Sequence, residues 1–167
     1  ELLDMSQVET GNIQLNRQPG SAYSILQHAI DATKIQAEQK HIHIAVAADA
    51  DVPDVNMDSE KTAWVLTNFI TNAIKYSAEN SEIILSLKKT DSGVCYAVRD
   101  FGRGIEPKYR ERIFERYFQI PGSPKSGTGL GLTISKDFIE AQGGEIGVET
   151  EQGSGSTFFF CFPDKRS

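Results

Sequence analysis

Positive charge is in short supply in this sequence. Its 167 residues carry 17 Lys and Arg against 23 Asp and Glu, a formal net charge of -6. That balance excludes a general electrostatic hold on nucleic acid or on an anionic membrane surface. Long apolar runs are missing too. None approaches the roughly 18 residues needed to cross a bilayer, and there is no signal-peptide pattern. Only two cysteines occur, Cys95 and Cys161, in apolar strand-like runs far apart. They make neither a CxxC nor a zinc spacing, so free buried thiols in a reducing compartment are the expectation. The patterns GxSxG, GxxxxGKS/T and a GxGxxG after a strand are absent, as is a carboxylate pair of the glycosidase kind. Of the three histidines, His41 and His43 share one strand face with no further ligand nearby in sequence, and read as solvated; His28 reads as structural.

What is present is enough for one domain with its own core. The opening "ELLDMSQVETG" has helical spacing and a stopping glycine, as if it ended a helix begun upstream. "NIQLN" is a short strand candidate. Ser21 to Lys40 is a long amphipathic helix after Pro19-Gly20, with Ala22, Ile25, Leu26, Ala29, Ile30 and Ile35 as its stripe. "HIHIAVAA" alternates as a strand, and Asp58 or Ser59 can cap the next helix. Two strand hairpins are signalled, across "DSG" and across "QGSG". "PKYRERIFERYF" reads as helical, "QIPGSPKSGTG" as a mobile loop, and "LGLTISKDFIEAQ" as a helix stopped by Gly143-Gly144. The mixture predicts an α+β fold: a two-layer sandwich of a mixed, mostly antiparallel sheet with helices on one face. Residues 1–18 read as the end of a helix and a linker, and 19–167 as one domain.

Chemistry is signalled first in "TNFITNAIKYS". At about 100° per residue, Asn68, Asn72, Lys75 and Tyr76 fall on one stripe, while Leu66, Phe69, Ile70, Ala73 and Ile74 fall on the other. Asparagine is a poor helix former, so two asparagines one turn apart point to something specific facing them. A neutral amide oxygen suits Mg²⁺, which keeps waters and phosphates in its shell, and Lys75 can neutralise a phosphate. Three glycine clusters follow: "DFGRG", "GTGLGL" and "GSGSTF". The second runs into a helix, whose free N–H groups favour phosphate. A buried Asp100 at a strand end can accept a hydrogen bond from an exocyclic amine such as that of adenine.

Together these segments resemble the catalytic, ATP-binding domain of sensor histidine kinases, within the Bergerat-fold ATPase superfamily. "NFITNAIKYS" looks like the N box, "DFGRGI", "GTGLGL" and "GSGSTF" the three glycine boxes, and "RIFERYF" the phenylalanine box. The resemblance implies ATP and Mg²⁺ as ligands, with Asn72 on the metal, Asn68 in the same site, and Lys75 and Tyr76 on the nucleotide. It implies Asp100 on the adenine amine, with Gly102, Gly104 and Ile105 around the base and Thr157 supporting that end. Phe114 and Phe118 would pack the lid's base. Tyr117, Phe118 and the run Gly127, Thr128, Gly129, Leu130, Gly131 and Leu132 would border the nucleotide. Many relatives carry an Arg where Gln119 stands, so Arg116 or Lys125 is expected to reach the γ-phosphate.

The implied function is histidine phosphotransfer: ATP's γ-phosphate passes to a histidine on an upstream dimerisation domain, for relay to a response regulator's receiver domain. No phosphoacceptor box is present, so the chain alone is not expected to phosphorylate itself. A homodimeric parent, a monomeric fragment and a cytoplasmic domain, within a family whose members include proteins anchored in the inner membrane, are implied as well. ATP-hydrolysing members of the superfamily place a Glu where Asn68 stands, and an amide cannot act as a base. A serine-kinase anti-sigma factor is disfavoured by the same substitution. A degenerate nucleotide-sensing module is the alternative from another class.

Overall fold

The computed structural model describes residues 13–122, 130–151 and 153–163. Helix α1 (Ala22–Gln39) begins where Ser21 accepts a hydrogen bond from the Ser24 N–H. Strands β1 (Gln18–Gly20) and β3 (Val55–Met57) form a small antiparallel pair. Helix α2 (Ser59–Tyr76) is capped by Asp58, whose carboxylate accepts from the Lys61 N–H at 3.0 Å. The main sheet contains β2 (His43–Ala48), β4 (Glu82–Thr90), β5 (Gly93–Asp100), β6 (Glu145–Glu151) and β7 (Gly155–Pro163). Its order is β2-β4-β5-β7-β6; β2 runs parallel to β4, and every other pair is antiparallel. Helix α3 (Gly131–Ala141) packs beside α2.

The helices cover one face because each strand alternates. Val94, Tyr96, Val98 and Asp100 of β5 and Phe158, Phe160 and Phe162 of β7 point inward. Phe69 of α2 meets Phe158 and Phe160 at 5.6 and 5.8 Å between ring centroids. A fully buried side chain of this size stabilises by about 2–3 kcal/mol. The Tyr96 hydroxyl spans the layers and donates to the Ala22 carbonyl at 3.0 Å. Its burial pushes the phenol pKa up. No helix of the described residues is long and apolar enough to cross a membrane.

Several expectations need correction. The strand near the start is Gln18–Gly20, not "NIQLN", because its partner β3 pairs there. Ile35 is 72% exposed; Thr33 and Ala37 fill the buried stripe instead. His41 precedes β2 rather than sharing its face, and its Nδ1 lies 3.7 Å from Glu79. The helix expected over 107–118 is two short 3-10 turns, Pro107–Tyr109 and Arg112–Phe114. Phe114 and Phe118 turn to different partners, Phe158 and Tyr109, and Tyr117 adopts φ 62°, which ends any helical run. The opening helix lies outside the described residues.

The cysteines are also not free. Register places Cys95 of β5 opposite Cys161 of β7 on the outer face, and the two form a disulfide across 66 residues. Reducing it is expected to lower the unfolding free energy by about 2–4 kcal/mol. Urea unfolding with and without reductant measures this. Identical midpoints would show that the two sulfurs are unbonded in solution.

Candidate functional site

Helix α2 divides as its sequence dictates. Leu66, Phe69, Ile70, Ala73 and Ile74 are buried, while Asn68, Asn72, Lys75 and Tyr76 are half-buried along the opposite side. That side forms one wall of a cavity of about 430 Å³. The facing wall comes from the ends of β5 and β7 and from the glycine turn after β5, contributing Asp100, Gly104, Ile105, Ser156 and Phe158. The start of α3 closes a third side with Gly131 and Leu132. Leu130 at the cap of α3 makes no side-chain cap hydrogen bond, and the start of this helix, with its positive dipole end, borders the cavity.

Two glycines are required by this packing. A Cβ on Gly131 would lie 2.7 Å from Asn68 Oδ1, so any other residue here would have to displace this amide. Ser135, one turn on, receives a long hydrogen bond of 3.5 Å from Asn68 Nδ2 and itself donates to the Gly131 carbonyl at 2.8 Å. Gly155 has φ +93°, and a Cβ there would run into the Asp100 carbonyl.

Asp100 is 5% exposed. Burial pushes its carboxyl pKa up; hydrogen bonds from the Gly102 and Ser156 backbone N–H groups and the nearby Arg99 guanidinium oppose this without cancelling it. The Gly102 bond measures 3.0 Å. A carboxylate held in this way keeps lone pairs for a ligand donor. Among the described residues, Asp100 is the only acid lining the cavity.

The cavity therefore gathers Asn68, Asn72, Lys75, Tyr76, Asp100, Gly104, Ile105, Phe118, Gly131 and Leu132, as expected from sequence. Gly102 contributes through its N–H to Asp100. Four other expected residues do not line the cavity: Thr157, Tyr117, Arg116 and Leu130, the last at the cap of α3. Thr157 pairs with Arg99 on the outer face, and the buried hydroxyl at this end is Ser156, one residue earlier. Tyr117 is 65% exposed and does not line the cavity. Arg116 lies near Asp137, whose carboxyl it influences, rather than in the cavity wall. Gly127, Thr128, Gly129 and Lys125 lie outside the described residues. Gln36, Thr71, Arg103, Ile113 and Ile120 also line the cavity; nothing in their local pattern marked them, because folding alone brings them there. Phe114 contacts Phe158, and Phe118 packs on Tyr109 beneath the Arg112 guanidinium.

Residues 57–166 match the model of the histidine kinase-, DNA gyrase B-, and HSP90-like ATPases. The chain belongs to this ATPase family. It is 32% identical over 170 residues to the sensor histidine kinase WalK of Bacillus subtilis, covering 99% of this chain and 28% of WalK. It is 31% identical to the aerobic respiration control sensor protein ArcB of Escherichia coli, covering 95% of this chain and 21% of ArcB. Thus the chain spans about a quarter of the length of these relatives. Among solved structures of the family, full-length ShkA in complex with AMPPNP superposes with a TM-score of 0.84 at 32% identity, over 95% of this chain and 33% of that one. The catalytic domain of histidine kinase ThkA gives 0.80 at 25% identity, over 89% of this chain and 96% of that one.

Asp100→Asn tests the electrostatics. Because the folded carboxyl pKa is raised, ionised Asp100 costs stability at neutral pH. The cost vanishes below the unfolded value of about 3.9, where both states are protonated. The variant is therefore expected to melt at or above the parent's temperature at pH 7, with the difference closing on acidification. A variant that melts well below the parent at pH 7 would contradict this.

Proposed function

We propose that this chain is the ATP-binding catalytic domain of a sensor histidine kinase, and that it delivers the γ-phosphate of ATP to a histidine on a separate helical dimerisation domain. One observation carries the reading. The cavity sets a buried carboxylate, where β5 ends, against two amides and an ammonium on α2 and the start of α3. This polarity matches a nucleotide: Asp100 accepts the adenine amine, Ile105 packs against the base, and the triphosphate runs towards Asn72, Lys75 and the start of α3.

The donor set fits a metal that arrives with its substrate. Among the described residues, no three His, Cys, Asp or Glu side chains cluster to hold an ion, whereas Asn72 offers a neutral oxygen to the cavity. Mg²⁺ bound to phosphates and water needs little more than that from the protein. When bound, it neutralises the phosphate charge; Asn72 holds it, and Lys75 and the helix N–H groups orient the chain of phosphates.

Transfer is favoured over hydrolysis. Asp100, the one acid among the described residues of the cavity wall, is committed to the base, and Asn68 has no basicity with which to activate water. The attacking histidine nitrogen forms its bond to the γ-phosphorus as the bond to the β–γ bridging oxygen breaks, releasing ADP. The phosphoryl group would then pass to the aspartate of a response regulator's receiver domain. We place the working domain at residues 19–167, within a homodimeric parent.

Two measurements check this. Titration with a fluorescent ATP analogue should show Mg²⁺-dependent binding that Asn72→Ala weakens by about tenfold or more. Supplying a kinase dimerisation domain with its phosphoacceptor histidine should yield acid-labile phosphohistidine on that domain. Mg²⁺-independent binding, or label on His28, His41 or His43 of this chain, would contradict the reading.

A further inference from the structure

We propose that Thr150, which does not line the cavity, is a positioning residue that fixes the base end of the site and sharpens its preference for adenine. The proposal rests on the nucleotide reading above and deepens it. The Thr150 hydroxyl sits on β6, and three partners from two other segments converge on it. The Ile105 N–H donates to Oγ1 at 2.7 Å, Ser156 Oγ lies 3.1 Å away, and the Gly155 carbonyl lies 3.3 Å away.

A hydroxyl has one proton and two lone pairs. Ile105 occupies one lone pair. If the proton goes to the Gly155 carbonyl, the second lone pair accepts the Ser156 hydroxyl. If it goes to Ser156 Oγ, the Ser156 proton is released towards the cavity. Either arrangement holds Ser156 Oγ in place. Ser156 is 5% exposed, and its backbone N–H in turn holds the Asp100 carboxylate.

One side chain outside the cavity thus anchors the Ile105 N–H and the Ser156 hydroxyl, the latter on the residue whose backbone N–H holds the Asp100 carboxylate. These are the groups that would read the base. Among the described residues, the partners of the Thr150 hydroxyl are Ile105, Gly155 and Ser156, none of them on α2 or α3. Loss of this hydroxyl should therefore damage base selection more than phosphate binding.

Thr150→Val keeps the branched strand-forming shape and removes the hydroxyl, whereas Thr150→Ser keeps the hydroxyl. The affinities for ATP and GTP, each with Mg²⁺, are measured for the whole chain by calorimetry. Thr150→Val is expected to bind ATP about tenfold more weakly with GTP binding little changed, so the preference narrows. Thr150→Ser should retain the parent's affinity and preference. Thr150→Ala should narrow the preference like Val, and serves in its place if Val does not fold. Unchanged binding in the hydroxyl-less variants overturns the inference alone, as does an equal loss for both nucleotides, which marks general loosening. Failure of the parent to bind ATP overturns the nucleotide reading, and this inference with it.

Discussion

The antiparallel registry of β5 on β7 sets the geometry on which everything at the site depends. It stacks Tyr96 on Phe160, sets Val98 opposite Phe158, and ends by placing Asp100 opposite Ser156. The two apolar pairs lie against α2, and the last pair is polar and buried at the cavity. A slip of one residue would exchange the faces of β7, exposing three phenylalanines and carrying Ser156 away from Asp100. The energy that holds the core together is thus the same energy that aims the site.

Helix α2 supplies the opposite wall under the same constraint. Its apolar stripe is locked against β5 and β7 by Phe69, which leaves the asparagine stripe no freedom to rotate. Contact with α3 is just as close. Gly131 has no side chain, and the amide of Asn68 takes the space. The site is therefore a meeting of three rigid elements. Such pre-organisation is what phosphoryl transfer asks of a protein, because positioning and charge neutralisation dominate that chemistry.

Much of this was legible in the amino-acid order. The split faces of α2 follow from a 3.6-residue period, and both hairpins from their turn residues. Asp100 stood out as an acid between a strand and a glycine turn. What escaped was long-range. The Cys95–Cys161 bond depends on a register between strands 66 residues apart, which no local pattern encodes. Strand parity puts Ser156, not Thr157, opposite Asp100 and inward, and that register is a long-range pairing. The segment after Pro107 has helix-forming residues, but Phe114 and Phe118 are drawn to separate partners, and tertiary packing overrides propensity there. Gln36 and Thr71 reach the cavity only because α1 and α2 pack together.

The nucleotide proposed here lies between the amide face of α2 and the β5–β7 end, base towards Asp100 and phosphates towards Asn72. A crystal structure of the chain with Mg²⁺ and a non-hydrolysable ATP analogue tests this placement most directly. The adenine amine is expected within hydrogen-bonding distance of the Asp100 carboxylate, and the metal on the Asn72 side-chain oxygen. A base bound elsewhere, or phosphates lying at the Asp100 end, would contradict it.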